Sequence, residues 1–170
     1  MPEKIRVGVF GGGRGQTMVR VLAAHPDAEV TAICDQYRPT LEKCRRVAAE
    51  AGAAVTCYED FDSFLNHDMD AVVLANYCTD HAPYAVRLLD SGRHVVSEVV
   101  ACQTMGEAVA LVEAVERSGR VYAYAENYSY FRGTLEMQRL YREGALGEFL
   151  HGEGESVSYT HLTLPTIYSV

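Results

Sequence analysis

Short apolar runs alternate along this chain with stretches whose apolar residues recur every three to four positions. The first run, Ile5-Arg6-Val7-Gly8-Val9-Phe10, breaks into Gly11-Gly12-Gly13-Arg14-Gly15, and a helical pattern follows from about Gln16. A second run, Val30-Thr31-Ala32-Ile33-Cys34, ends on Asp35. Pro39 stands where a helix can begin; Leu41, Cys44, Val47 and Ala48 then repeat at helical spacing, and Gly52 closes the helix. Val55–Tyr58 reads as a short strand, and Asp60 or Asp62 caps a short helix through Phe64 and Leu65. Ala71–Ala75 is apolar throughout, as expected of a strand buried on both faces of a parallel sheet. Thr79 or Asp80 caps the next helix, with Ala82, Ala85, Val86 and Leu89 on its inner face and Gly92 as its stop. His94–Ser97 is a further strand. Thr104 starts a long amphipathic helix that turns Ala108, Leu111, Val112 and Val115 inward and ends at Gly119. A strand at Val121–Ala125, a helix over 132–143 on Leu135, Met137, Leu140 and Tyr141, and a strand opening at Glu148-Phe149-Leu150 complete the pattern. Such alternation predicts βαβ units and an α/β fold built on a doubly wound parallel sheet.

Composition narrows the function more than the fold. The 170 residues, 48% of them hydrophobic, are enough for one well-cored domain. A formal net charge of -8, with no basic run or basic helix face, argues against nucleic acid and against an anionic membrane surface. No apolar stretch approaches the ~20 residues that span a bilayer, and Ile5–Phe10 is too short for a signal peptide. Cys34, Cys44, Cys57, Cys78 and Cys102 are scattered, odd in number and free of C-x-x-C spacing; they read as reduced thiols of a cytoplasmic protein, with no metal site.

The end of the chain breaks the pattern. VSYTHLTLPTIYSV, from Val157, has weak periodicity and resembles the in-frame translation of a transposase-type sequencing adapter. The expectation is that 157–170 is a non-native tail on coding sequence cut near Ser156; the competing reading is a polar strand and loop.

The order strand, glycine turn, helix, strand, acid prepares specific chemistry. Backbone N–H groups at a helix N-terminus suit a pyrophosphate, and a carboxylate at the next strand end suits a ribose diol. Gly11 and Gly13 match the G-x-G-x-x-G fingerprint, but its third position falls on Gln16, with Gly15 one residue early. Asp35 follows Gly11 by 24 residues (35 − 11), close to the ~20 expected of the ribose acid. Its alternative role is merely to solvate a strand end. Charge repulsion by Asp35 favours NAD, while Arg38 offers NADP a partner for its 2′-phosphate. Asn76-Tyr77 stands at the carboxyl end of a buried strand, where open α/β sheets bind ligands. His81 opens a helix and reads as a solvated or capping residue more readily than as a catalyst. Glu98 ends the strand after it.

These blocks together resemble the Gfo/Idh/MocA oxidoreductases: GVFGGGRG…AICD, then DMDAVVLANYCTDHAPYAVRLLDSGRHVVSEVVACQTMGEAVALVEAVERSG, AENYSYF and LYREGALGEFLHGEGE. The resemblance covers residue 4 to about 155. It implies an NAD(P)-binding Rossmann domain over 1–125, the start of a C-terminal substrate domain over 126–156, and a missing open-faced antiparallel sheet that carries the substrate pocket. It places Gly11, Gly13 and Arg14 at the pyrophosphate, Asp35 at the adenosine ribose, and Asn76, Tyr77 and His81 beside the nicotinamide half; Gly15, Arg38 and Glu98 complete the expected cofactor-binding residues. Glu98 matches the glutamate of the family's Glu-Lys-Pro motif, but Val99 and Val100 stand at the lysine and proline positions. Valine cannot act as acid or base, so no catalytic residue is assigned; Glu98, His81 and Asn127 are the weak candidates. Asn127 and Tyr128 either position substrate or pack a domain interface.

The resemblance implies hydride transfer between nicotinamide and a sugar, cyclitol or related polyol, and a homo-oligomer at full length. It leaves this chain inactive alone and prone to association. A non-catalytic dinucleotide sensor or regulatory module is the competing reading, favoured by Val99; a methyltransferase-like nucleoside binder fits the glycine loop and acid but not residues 70–98.

Overall fold

A computed structural model of the chain describes residues 4–152. The chain divides into two compact units between Glu126 and Asn127. The first contains six parallel strands in the order β3-β2-β1-β4-β5-β6. They are β1 (Ile5–Phe10), β2 (Ala28–Cys34), β3 (Thr56–Tyr58), β4 (Ala71–Leu74), β5 (His94–Ser97) and β6 (Tyr122–Tyr124). Strand order reverses between β1 and β4, and this is the point where an open α/β sheet leaves a crevice at its carboxyl edge.

Helices cover both faces. α1 (Gly12–Ala23) and α2 (Arg38–Glu50) pack Val19, Leu41, Cys44, Val47 and Ala48 against Val7, Val9, Val30, Ile33 and Val73. On the other face α3 (Phe61–Leu65), α4 (His81–Asp90) and α5 (Met105–Ser118) bring Phe61, Phe64, Leu88, Leu89, Leu111 and Ala114 against Phe10, Ala32, Cys34, Val72 and Leu74. Val73 faces one layer and its neighbours Val72 and Leu74 the other, so β4 is apolar throughout because both of its faces are buried.

β2 keeps its two faces only by a local irregularity. Its register against β1 runs Val7↔Val30 and then Gly8↔Ala32, which leaves Thr31 as the extra residue of a bulge. Alternation therefore restarts at Ala32: Val30 and Ile33 join the first layer, Ala32 and Cys34 the second.

Local chemistry sets the ends of several elements as expected. Asp60 caps α3 by accepting from Ser63 N at 2.8 Å. Thr104 caps α5 through a capping box: Oγ1 accepts from Glu107 N at 3.2 Å, and Glu107 Oε2 accepts from Thr104 N at 3.1 Å. Gly119 ends that helix at φ 63.

Other expectations are corrected. α1 begins at Gly12, not near Gln16, with Gly11 as its N-cap. Asp80 stands before α4 but makes no side-chain cap; a 3-10 turn at Cys78–Asp80 leads into the helix instead. Val112 is 56% exposed, and Ala114 takes the inward place because α5 meets α4 along its 111/114/115 edge. Residues 148–150 are irregular: the strands of the described residues all belong to the first unit, and an extended segment without a paired neighbour forms no ladder.

In the second unit, α6 (Arg132–Arg142) follows a 3-10 turn at Asn127–Tyr130. Arg139 pairs with Glu136 at 2.6 Å and Glu143 at 2.5 Å along one helix face.

Candidate functional site: a cleft at the carboxyl edge of the sheet

The β1–α1 connection is built from glycines that do different things. Gly11 has φ 96, and a Cβ there would stand 2.3 Å from Asn76 N and 2.5 Å from Ala75 O. Only glycine lets β1 turn away this close to the end of β4. A Cβ on Gly12 would meet Thr40 Cγ2 at 2.8 Å and Cys44 Sγ at 3.0 Å, so its small size lets α2 approach α1. A Cβ on Gly15 would stand 2.5 Å from Val9 Cγ1. Gly15 therefore does the helix–strand packing that the fingerprint assigns to its third glycine, although it comes one residue early. Gly13 differs from all three: nothing lies within 4 Å of where its Cβ would be. Its open side borders a cleft.

That cleft encloses about 560 Å³ at the β1/β4 switch point. Gly11, Gly13 and Arg14 form one wall, Asp35, Gln36, Tyr37 and Thr40 another, and Asn76, Tyr77, Asp80 and Tyr84 a third. The N–H groups of Gly13 and Arg14 lie in the first turn of α1, where a helix has no internal acceptor to offer. Arg14 is exposed and has no ion pair among the described residues. Backbone donors, helix dipole and guanidinium thus converge where an anion would be stabilised.

Asp35 is held from two directions. Its Oδ2 accepts from Gly12 N at 2.8 Å and its Oδ1 from Tyr37 N at 2.8 Å. The carboxylate caps α1 across the loop and fixes the start of α2, and each oxygen keeps a lone pair for a hydroxyl donor. Beneath it, the Cys44 thiol donates to Gly12 O at 3.2 Å. Burial, reinforced by the nearby Asp35 carboxylate, pushes this thiol up to about 11. Burial first, then Asp60 and Asp35, pushes Cys34 up to about 12. Both thiols are inert supports of the loop.

Asn76 contributes an unanswered group. Its Oδ1 is buried without a hydrogen-bond partner among the described residues, while its Nδ2 donates to Tyr77 O at 3.4 Å. A buried acceptor on a cleft wall suits a ligand that brings a donor.

Four of the expected cofactor-binding residues lie off the cleft wall. Gly15 is buried against Val9. Arg38 donates from Nε to Glu59 at 2.8 Å, which raises its already high pKa. His81, expected to be solvated, is 1% exposed. Its ring lies between two carbonyls, Nδ1 2.9 Å from Val100 O and Nε2 3.3 Å from Asn76 O, and so ties together the chain leaving β4 and the chain leaving β5. Glu98 donates its N–H to Leu74 O at 2.9 Å, and its side chain is half-buried. Val99, next to it, is half-buried, and the Val99–Val100 peptide is cis. Asn127 belongs to the second unit, where it is exposed. Sequence reading missed Tyr37, Thr40, Asp80 and Tyr84 as cleft residues. Tyr37 and Thr40 were within reach, two and five residues past the acid at the start of α2.

A family model described as the Gfo/Idh/MocA oxidoreductase family, NAD-binding Rossmann fold, matches residues 5–126. The chain belongs to the Gfo/Idh/MocA oxidoreductase family. The first unit is thus that family's NAD-binding domain, and the cleft lies at the carboxyl edge of its sheet. A glycosyl hydrolase family 109 protein of Saccharopolyspora erythraea is 31% identical over 94% of this chain and 36% of its own length. An α-N-acetylgalactosaminidase of Shewanella oneidensis is 30% identical over the same shares. The chain therefore spans about a third of the length of the curated relatives it matches. Among solved structures, the WlbA dehydrogenase of Bordetella pertussis, in complex with NADH and UDP-GlcNAcA, aligns with TM-score 0.75 and 26% identity over 85% of this chain and 44% of its own. The myo-inositol 2-dehydrogenase of Lactobacillus plantarum aligns with TM-score 0.75 and 14% identity over 86% of this chain and 43% of its own, a likeness of fold. No helix among the described residues is long and apolar enough to cross a membrane.

Proposed function

We propose that this chain is the cofactor-holding part of an NAD-dependent oxidoreductase that exchanges hydride with a sugar, cyclitol or related polyol. The observation that carries the reading is the cleft, in which Gly13, Arg14 and Asp35 line one side of the β1/β4 switch point and Asn76 and Tyr77 the other. The N–H groups of Gly13 and Arg14 and the Arg14 guanidinium would take the pyrophosphate. Asp35, fixed by Gly12 and Tyr37, would accept from the adenosine ribose hydroxyls. Asn76 Oδ1, Tyr77 and Asp80 would border the nicotinamide half. Bound there, the nicotinamide would supply hydride exchange with a carbinol carbon; the protein contributes position and proton handling. His81 acts as a positioning residue between two strand exits, and Glu98 keeps the glutamate position of the motif. Val99 has no group that can accept or donate a proton, so the substrate hydroxyl proton must go to another group.

The relatives' names favour a second reading: glycoside cleavage by the full-length protein with no net oxidation. Some glycoside hydrolases do depend on NAD. Because hydrolysis is redox-neutral, any hydride removed from the sugar would have to be returned before release. The two readings separate on a full-length protein carrying this sequence. Net NADH accumulation with a polyol supports the dehydrogenase; release of p-nitrophenol from an α-N-acetylgalactosaminide without net NADH supports the glycosidase.

The cofactor claim is tested on the chain itself. Titration with NADH, followed by nicotinamide fluorescence, is expected to saturate, and Asp35→Ala to abolish saturation while Thr104→Ala retains it. A folded chain that binds neither NADH nor NADPH would overturn the reading.

A further inference from the structure

We propose that Glu59 is a cofactor-selectivity residue: by holding Arg38 it keeps that guanidinium from a 2′-phosphate and reinforces the preference for NAD that Asp35 begins. This rests on the dinucleotide reading above. Arg38 is the first residue of α2, and Tyr37 before it and Thr40 after it both line the cleft. It therefore stands at the rim on the side of Asp35, where a phosphate on the adenosine ribose would project. The Arg38 side chain is 80% exposed, yet it points to Glu59, with Nε donating to Oε1 at 2.8 Å.

Glu59 is there because of the strand register. β2 pairs with β3 as Cys34↔Tyr58, and Asp35 N donates to Tyr58 O at 3.1 Å. The residues that follow, Asp35 and Glu59, thus sit on adjacent strand exits. Asp60 comes next but is occupied in capping α3. A phosphate approaching Asp35 would meet that carboxylate and a guanidinium already neutralised by Glu59. Removing Asp35 alone leaves that neutralisation in place. Both partners are well exposed, so the pair is screened, and exposed pairs shift equilibria by about 1.4- to 5-fold.

The test is a binding cycle on the full chain, reading the ratio of NADPH to NADH dissociation constants by fluorescence titration. Glu59→Gln is expected to lower that ratio about two- to fivefold relative to the unaltered chain, and to do so less at high salt. In an Arg38→Gln background the same change is expected to do little, because the released cation is gone. An unchanged ratio in Glu59→Gln overturns the proposal. So does an equal shift in the Arg38→Gln background, which would make Glu59 a bare repulsive charge. If the unaltered chain binds NADH but the cycle fails, the cofactor reading stands and the selectivity role falls; if it binds neither dinucleotide, both fall.

Discussion

Gly13→Ala separates the binding role of the glycine turn from its folding role. Gly13 lies in the first turn of α1, is exposed, and has no positive φ. An added Cβ there meets no heavy atom within 4 Å. Alanine in place of glycine within a helix gains about 0.5–1 kcal/mol, so the variant is expected to be as stable as the parent or slightly more so. Binding should move the other way. The new methyl projects from the glycine wall of the cleft, where a pyrophosphate would approach the Gly13 and Arg14 N–H groups. Losing one hydrogen bond to a charged partner costs about 1.5–3 kcal/mol, or roughly 10- to 150-fold in affinity. Urea unfolding followed by far-UV circular dichroism measures the first effect and NADH titration the second. Gly15→Ala is the control of opposite sign: its Cβ would overlap Val9 Cγ1 at 2.5 Å, and overpacking of this kind costs about 1–3 kcal/mol. NADH affinity unchanged in a stable Gly13→Ala chain would refute the placement of the pyrophosphate over this turn.

Two further outcomes follow from the described contacts. Thr104→Ala removes the hydroxyl half of the α5 capping box and should cost about 1 kcal/mol, read as a thermal midpoint lower by about 2–4 °C with NADH affinity retained. Alkaline pH should destabilise the fold through its buried thiols: Cys34 and Cys44 hold their protons up to about 12 and about 11 when folded, whereas unfolded thiols lose theirs near 8.5. Between those values the folded state binds more protons than the unfolded one, so stability is full below about pH 8.5 and falls as pH rises, by at most about 1.4 kcal/mol per pH unit for each thiol. Urea midpoints at pH 8 and pH 10 test this, and Cys34→Ala should flatten the slope; a slope unchanged by that substitution would remove Cys34 from the account.

Much of this fold is legible locally because the sheet is parallel and covered on both faces. β4 shows as an uninterrupted apolar run, and α5 announces its start with Thr104 and Glu107. The parts that were not legible each depend on a partner far along the chain. Thr31 gives no local sign of being a bulge; only pairing with β1 reveals it. His81 has a surface-like context in sequence, yet the carbonyls of Asn76 and Val100 close around it once β4 and β5 lie side by side. Arg38 reads as a free cation until β3 brings Glu59 beside it. The start of α1 shows the same logic most sharply. Glycine's low helix propensity places the helix after the glycines, near Gln16. In the fold, the Asp35 carboxylate accepts the Gly12 N–H from 23 residues away, and Gly11 N donates to Cys34 O at 2.8 Å. Those two bonds start the helix at Gly12 and leave the Gly13 and Arg14 N–H groups facing the cleft. The displaced third glycine and the strand-end acid are therefore one device: Gly15 lets the helix lie against Val9, and Asp35 fixes where that helix begins.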